Sequence, residues 1–149
     1  MSMQTDCTYG LGFVLNVGDK PLANFIKAHK DSIKNLDIDE ILTWIDEHEK
    51  TGCMDGITEE FFDYACVKYI TGGLYGIIAD IMAAETNIGF EYFHDDETEA
   101  IMFIESYPWD LNETEKNLTQ DKLREICQKY IKELGGNMKF DYVRIENFG

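Results

Sequence analysis

Apolar and polar side chains alternate near the start of the chain. Apolar residues occupy every second position over 9–17, namely Tyr9, Leu11, Phe13, Leu15 and Val17. A period of two is that of a β-strand with one apolar face, so we expect a strand here with Gly10 and Gly12 on its other side. Gly18 and Asp19 end this segment, and Pro21 suits the first turn of a following helix.

Helical spacing of apolar residues predicts most of the segments that follow. The first stretch has an apolar face formed by Leu22, Phe25, Ile26, His29 and Ile33. A single histidine on such a face is more often a packed or edge residue than a ligand. Further stretches over 37–49, 58–70, 74–85 and 119–134 show the same spacing. The stretch over 74–85 is apolar nearly all round, which is typical of a central buried helix.

Three later segments read as strands, over 90–94, 100–107 and 138–148. The first two are joined by an acidic hairpin tip over 95–99. The order is therefore strand, three or four helices, two strands, helix, strand. This order predicts one α+β domain over 1–149, with a four-stranded, mostly antiparallel sheet packed with four to five helices.

The charge of the chain is concentrated in its middle. The 149 residues carry a formal net charge of -16, from 29 acidic and 13 basic side chains. The block over 35–115 holds 21 of the acids and only two bases, Lys50 and Lys68. Such a field repels nucleic acid and anionic membranes and attracts basic surfaces. The alternative is an acidic surface that serves solubility alone, although its charge exceeds the ~2–8 that suffices for a small domain.

Motifs for catalysis or metal binding are absent from the sequence. The four cysteines have no CxxC spacing and no histidine at zinc-finger spacing. A calcium-binding loop with Gly56 as its central glycine would begin at Thr51 and end at Phe62, so the ligands required at its first and last positions are absent. The nearest nucleophile pair, Cys53 and His48, has nothing to orient it. We therefore expect no enzymatic activity, no metal and no cofactor.

Export and membrane signals are also missing. The segment over 1–9 has no basic residue and no apolar core of a signal peptide. No apolar run approaches the ~18–20 residues that cross a bilayer. We expect a cytoplasmic protein with reduced thiols.

Candidate partner-binding residues fall into three groups. The outer face of the second helix presents Asp39, Glu40, Asp46 and Glu47, and the hairpin tip presents Asp95, Asp96, Glu97 and Glu99. The loop after the third strand adds Asp110 and Glu113. The candidate apolar anchors are the aromatic residues Trp44, Tyr107 and Trp109. Such anchors are needed because carboxylates alone extend the range of the attraction more than they increase the binding affinity. Packing in the core or at the sheet edge is an equal alternative for each aromatic residue.

One segment near the end of the chain has a distinctive set of residues, namely Tyr107, Pro108, Trp109, Asp110, Leu111, Glu113, Glu115, Lys116, Leu118, Thr119 and Tyr130. With these residues it resembles a stretch found in uncharacterised small proteins of Firmicutes and their phages. The resemblance covers roughly a quarter of the chain, implies a bacterial or phage setting and assigns no site residue. In that setting, small and very acidic α+β proteins without catalytic motifs resemble anti-CRISPR and antirestriction inhibitors.

The expected function is therefore that of an acidic nucleic-acid mimic, encoded by a phage or mobile element and acting in the bacterial host cytoplasm. Its partner would be a basic nucleic-acid-binding protein such as a CRISPR effector, whose channel for DNA or RNA it blocks. One alternative is an immunity protein that neutralises a basic toxin. Another is an enzyme with an unfamiliar carboxylate site.

Overall fold

Strands and helices follow the predicted order in the part of the chain that the structure describes, except that a short helix over Glu113–Lys116 lies in the predicted loop before the last helix. The structure is a computed structural model that describes residues 5–33, 38–50, 73–95, 97–104, 108–135 and 137–148. The strands are β1 (Thr5–Val14), β2 (Phe90–His94), β3 (Glu99–Phe103) and β4 (Asp141–Phe148). The helices are α1 (Asp19–Ala28), α2 (Ile38–Lys50), α3 (Gly73–Thr86), α4 (Glu113–Lys116) and α5 (Gln120–Leu134). Two short 3-10 turns cover Lys30–Ser32 and Pro108–Asp110. The predicted helix over 58–70 lies outside the described residues.

The sheet has the strand order β2-β3-β1-β4, and each neighbouring pair is antiparallel. This confirms the predicted α+β domain with a four-stranded sheet. The boundaries of β1 differ from the predicted 9–17. The strand begins earlier, at Thr5, because its first half pairs with the end of β4, and it ends earlier, at Val14. The backbone leaves helical geometry at His29, so α1 ends at Ala28 and Ile33 follows a 3-10 turn.

The main core lies between one face of the sheet and the helices. The α3 helix is buried nearly all round, as its composition predicts. A stripe on α5 contributes Leu123, Cys127, Tyr130 and Leu134, and α1 contributes Leu22, Phe25 and Ile26. Helix α5 ends at Gly135, whose φ of 78° is the positive value that favours glycine at a helix end. Among the described helices, none combines the length and the apolar character that a membrane span requires.

A second, smaller apolar cluster lies on the opposite face of the sheet. It consists of Ala100 and Met102 of β3 with Val143 and Ile145 of β4, and Phe93 packs against it. In a flat sheet, strands β2 and β4 would be about 14 Å apart, because two strands separate them. Their Cα atoms instead approach within 8 Å, so the sheet curls.

Glycines in β1 allow the sheet to curl. Strand β1 lies between β3 and β4. Its residue Gly12 pairs with Met102 of β3, and its residue Gly10 pairs with Val143 of β4. A Cβ atom at position 12 would lie 1.9 Å from the carbonyl oxygen of Ile101, and one at position 10 would lie 2.8 Å from that of Phe103. The backbones of β1 and β3 therefore approach more closely than a side chain at position 10 or 12 would permit. On this face of β1, which carries the two glycines, neighbouring side chains of β3 and β4 form the small apolar cluster.

We expect Gly12→Ala to destabilise the fold strongly. The added methyl collides with backbone rather than with a movable side chain, and overpacking of this kind costs about 3 kcal/mol. Chemical denaturation monitored by circular dichroism measures the loss. The control is Gly18→Ala, where the nearest atom to the new Cβ is Cδ of Pro21 at 3.4 Å. A Gly12→Ala protein as stable as the Gly18→Ala protein would contradict the close approach of β1 and β3.

Candidate functional site

The outer face of α2 carries the largest group of predicted partner-binding acids. Ile41 and Ile45 are buried against the core, while Asp39, Glu40, Asp46 and Glu47 are exposed. The acids form two pairs separated by two helical turns, about 10.5 Å along the axis. Four carboxylates thus lie along one side of a rigid element, and we call Asp39, Glu40, Asp46 and Glu47 the α2 acidic face.

An ion pair connects this face to the neighbouring helix. The Lys27 ammonium lies 2.8 Å from a carboxylate oxygen of Asp46, and both side chains are partly exposed. Exposed pairs of this kind contribute little free energy, because water screens them and the side chains lose entropy. The pair nevertheless orients Asp46, so the α2 acidic face has a defined shape at that end.

The two tryptophans occupy different environments. Trp44 is half-buried and packs against the main core. Trp109 lies in the 3-10 turn Pro108–Asp110 with 76% of its surface exposed. For Trp44 the core-packing alternative describes the structure, whereas Trp109 has the exposure that an anchor for a partner needs. Tyr107 lies outside the described residues.

The hairpin tip uses one of its acids to hold the fold. One oxygen of Asp95 accepts hydrogen bonds from the backbone N–H groups of Glu97 at 2.9 Å and Thr98 at 2.6 Å. The other oxygen accepts from the N–H of Glu146 on β4 at 3.2 Å. These bonds, first those from Glu97 and Glu146, lower the pKa of Asp95. Asp95 therefore closes its own turn and fastens the hairpin to the edge of β4.

The other acids of the hairpin tip have a different character. Glu97 and Glu99 are exposed. The Tyr92 hydroxyl is hydrogen-bonded to Glu99, and burial together with that carboxylate raises the pKa of the tyrosine. Asp96 lies outside the described residues. Of the four predicted acids at the tip, Glu97 is the clearest candidate for contact with a partner.

Trp109, Asp110 and Glu113 belong to a segment that is fixed by a capping box. The Asn112 side chain accepts from the N–H of Glu115 at 2.8 Å, and the Glu115 carboxylate accepts from the N–H of Asn112 at 3.1 Å. The second oxygen of Glu115 accepts from the N–H of Gly89 at 2.8 Å. These bonds tie the segment to the loop before β2. Asp110 is exposed, and so is Glu113, whose carboxylate lies 3.5 Å from the Lys116 ammonium.

The three predicted groups occupy three separate places. The α2 acidic face packs beside α1, and the hairpin tip lies against β4. The Trp109 segment is tied to the start of β2, whereas the tip follows the end of β2. The hairpin tip and the Trp109 segment are therefore at opposite ends of the β2–β3 hairpin. A partner that touches all three must present an extended surface.

A polar cluster that the sequence does not reveal joins three helices. Nδ1 of His29 lies 2.7 Å from a carboxylate oxygen of Glu85, and Nε2 lies 2.5 Å from one of Glu133. Ser32 donates to the same oxygen of Glu85 at 2.6 Å, and the Tyr130 hydroxyl donates to the other at 2.7 Å. His29 and Glu133 are 104 residues apart, so no local pattern signals their contact. We call these five residues the His29 junction.

The contacts in the His29 junction shift its acid–base properties. Partial burial disfavours the charged imidazole, but the hydrogen bonds to Glu85 and Glu133 outweigh this and raise the pKa of His29. Burial likewise opposes ionisation of Glu85, but hydrogen bonds from Ser32, His29 and Tyr130 outweigh it and lower the pKa of that carboxyl. Burial and the Glu85 carboxylate raise the pKa of Tyr130. The junction therefore favours a cation at His29 and an anion at Glu85.

A cavity of about 350 Å³ lies between the sheet and the start of α5. Its mouth carries Tyr9 and Tyr142, which stack with ring centroids 5.7 Å apart and are both exposed. The Arg144 guanidinium lies 6.0 Å from the Tyr9 ring and 3.2 Å from the Glu146 carboxylate. Exposed, stacked rings beside a cavity have the chemistry to contact an apolar or planar group.

Within the described ranges, no group of three His, Cys, Asp or Glu side chains is placed to hold a metal ion. The only cysteine thiol described, that of Cys127, is buried, and burial raises its pKa to about 12. Comparison of the chain with protein families, with curated proteins and with solved structures finds no match.

We expect the two tryptophans to differ in their contribution to stability. Trp44→Ala removes a half-buried ring from the core and should lower the free energy of unfolding by about 2 kcal/mol, roughly half the cost of losing a fully buried ring. Trp109→Ala should change it by less than about 0.5 kcal/mol, as for other exposed positions. Urea denaturation of both variants gives the comparison. Equal losses at the two positions would contradict their assigned environments.

We expect Asp95→Ala to loosen the hairpin tip. The amides of Thr98 and Glu146 lose their acceptor, so their hydrogen exchange should become several times faster, while Glu97→Ala in the same turn leaves Glu146 protected. Because the pKa of Asp95 is lowered, its contribution is present above the ordinary aspartate pKa of 3.8 and is lost as pH falls through the folded value. Unchanged exchange at Glu146 in Asp95→Ala would show that the side chain does not fasten the edge of β4.

Proposed function

We propose that this chain is an acidic inhibitor that binds a basic nucleic-acid-binding protein and blocks its binding of DNA or RNA. The observation that carries the proposal is the α2 acidic face, where four carboxylates lie exposed along one side of a helix. A net charge of -16 makes a basic surface the complementary partner. Carboxylates accept the paired hydrogen bonds of arginine in the geometry that phosphates also use.

The spacing of the acids suits an extended basic channel better than a single pocket. The α2 acidic face, the exposed Glu97 of the hairpin tip and the Trp109 segment are separate, so together they form several points of contact. Trp109 supplies the exposed aromatic surface that charged groups lack, and aromatic anchors contribute much of the affinity of protein interfaces. Long-range attraction accelerates the encounter and weakens as salt screens it.

The resemblance expected from the sequence of one segment, over 107–130, is the ground for placing this inhibitor in a bacterial cytoplasm. Effectors of the Cas9 type hold nucleic acid in a positively charged channel and are partners of the right chemistry. A basic toxin domain would be attracted by the same negative charge. Competition for DNA on a purified nuclease distinguishes a nuclease inhibitor from an immunity protein.

The test is competition for DNA on a purified, guide-loaded nuclease of the Cas9 type and on a basic restriction enzyme. Displacement of a labelled DNA duplex by the chain is measured by fluorescence anisotropy at low and at high salt. We expect displacement that weakens as salt rises. Absence of displacement at low salt for both enzymes would count against nuclease inhibition and would favour the toxin alternative.

A charge-matched pair of variants tests whether the α2 acidic face is the contact. One variant neutralises that face with Asp39→Asn, Glu40→Gln, Asp46→Asn and Glu47→Gln. The control neutralises four exposed acids elsewhere with Asp31→Asn, Glu91→Gln, Asp121→Asn and Glu125→Gln. Both lose four negative charges. We expect at least about tenfold weaker displacement, a change of ~1.4 kcal/mol, from the first variant only. Equal weakening in both would indicate a general charge effect rather than a face.

A further inference from the structure

We propose that His29 is a pH-dependent latch, which in its protonated form holds the C-terminal ends of α1, α3 and α5 together and on losing a proton releases the end of α5. The proposal is independent of the proposed function. It stands on the position of the imidazole in the His29 junction, between two carboxylates on two different helices.

The ends of three helices meet at this side chain. His29 is the residue that caps the end of α1, Glu85 lies in the last turn of α3, and Glu133 lies in the last turn of α5. A helix C-terminus carries a partial negative charge from its unpaired carbonyl groups. The C-terminal end of α1 and two carboxylates from the last turns of α3 and α5 therefore meet at one ring, and their negative charge favours a cation there.

The hydrogen bonds themselves require that cation. A carboxylate only accepts hydrogen bonds, and a neutral imidazole has a single N–H to donate. Both ring nitrogens of His29 contact carboxylates, Nδ1 with Glu85 and Nε2 with Glu133. Both bonds form together only when the ring is the doubly protonated imidazolium.

The other groups at the ring supply no replacement charge. Phe25 covers it with a centroid distance of 4.3 Å, and Tyr130 lies at 6.3 Å. Ser32 of the 3-10 turn and Tyr130 of α5 both donate to Glu85. The charged residues next to the junction in sequence, Lys30, Asp31 and Lys132, are exposed.

The order of release follows from how many partners each carboxylate has. When His29 loses its proton, Glu85 keeps its hydrogen bonds from Ser32 and Tyr130. Among the contacts described for Glu133, the bond to His29 is the one that holds it. Because the neutral ring cannot donate to both carboxylates, the contact with Glu133 is lost first, and the last turn of α5 loses this polar link to α1.

The direction of the pH effect follows from the raised pKa of His29. The stabilisation is fully present below the ordinary histidine pKa of 6.5 and is lost as pH rises through the folded value. At the acid side, the lowered pKa of Glu85 keeps this carboxylate ionised below the ordinary glutamate value of 4.5. The latch is therefore closed at mildly acidic pH and opens toward alkaline pH.

The experiment combines an NMR titration of the His29 ring with hydrogen exchange of the amides over 132–134, both on the full chain between about pH 5.5 and 9.5. His29→Gln assigns the ring signal. We expect His29 to titrate above 6.5 and the α5 amides to lose protection over the same interval, after correction for the intrinsic pH dependence of exchange. Each unit by which the pKa is raised should shift the opening equilibrium about tenfold.

Two variants separate a latch from a merely structural histidine. Glu133→Gln removes one carboxylate, keeps an acceptor and should lower the pKa of His29, while Glu125→Gln, exposed on the same helix, should leave it unchanged. Should His29→Gln not fold, Glu133→Gln still gives the result. A His29 pKa at or below 6.5, or α5 protection with the same pH profile in Glu133→Gln as in the parent chain, would overturn the proposal.

Discussion

Mutual repulsion among acidic side chains is the constraint that this fold has to satisfy, since acids exceed bases by sixteen. In the described part of the chain, no polar or charged side chain is buried, so the core is wholly apolar. Cohesion comes from the helices packed on one face of the sheet and from the small cluster on the other. Two basic side chains lie between elements against that background, Lys27 between α1 and α2 and His29 between α1, α3 and α5.

Several acids serve the fold rather than a partner. Asp95 fastens the hairpin to β4, Glu115 ties α4 to the loop before β2, and Glu85 accepts three side-chain hydrogen bonds. Counting acids therefore overstates the charge available for recognition. The α2 acidic face differs because its four side chains are exposed on the side of the helix opposite the buried Ile41 and Ile45, and only Asp46 among them is described in an ion pair with another helix. This contrast, more than the total charge, is what favours α2 as a contact surface over a uniform solubility coat.

Local patterns explain which parts of the structure the sequence predicts. The period of two around Phe13, the helical spacing along α5 and the apolar composition of α3 are properties of neighbouring residues, so the order of elements, the sheet and the exposure of the α2 acids follow from them. The role of Asp95 and the His29 junction depend on contacts between residues that are 45 to 104 positions apart. The curl of the sheet depends on the absence of side chains at Gly10 and Gly12. A periodicity analysis registers these positions only as not apolar, so it does not predict the close approach of the strands.

The first helix connects the His29 junction to the surface proposed for binding. Lys27 and His29 lie two positions apart at the end of α1, and one contacts α2 while the other contacts α3 and α5. The Lys27–Asp46 pair is exposed and weak, so it transmits little force by itself. The stronger link is the shared apolar core, to which α1 contributes Ile26 and α2 contributes Ile41 and Ile45. The His29 junction and the α2 acidic face are thus supported by the same helix and the same apolar core, and the single ion pair adds little to that connection.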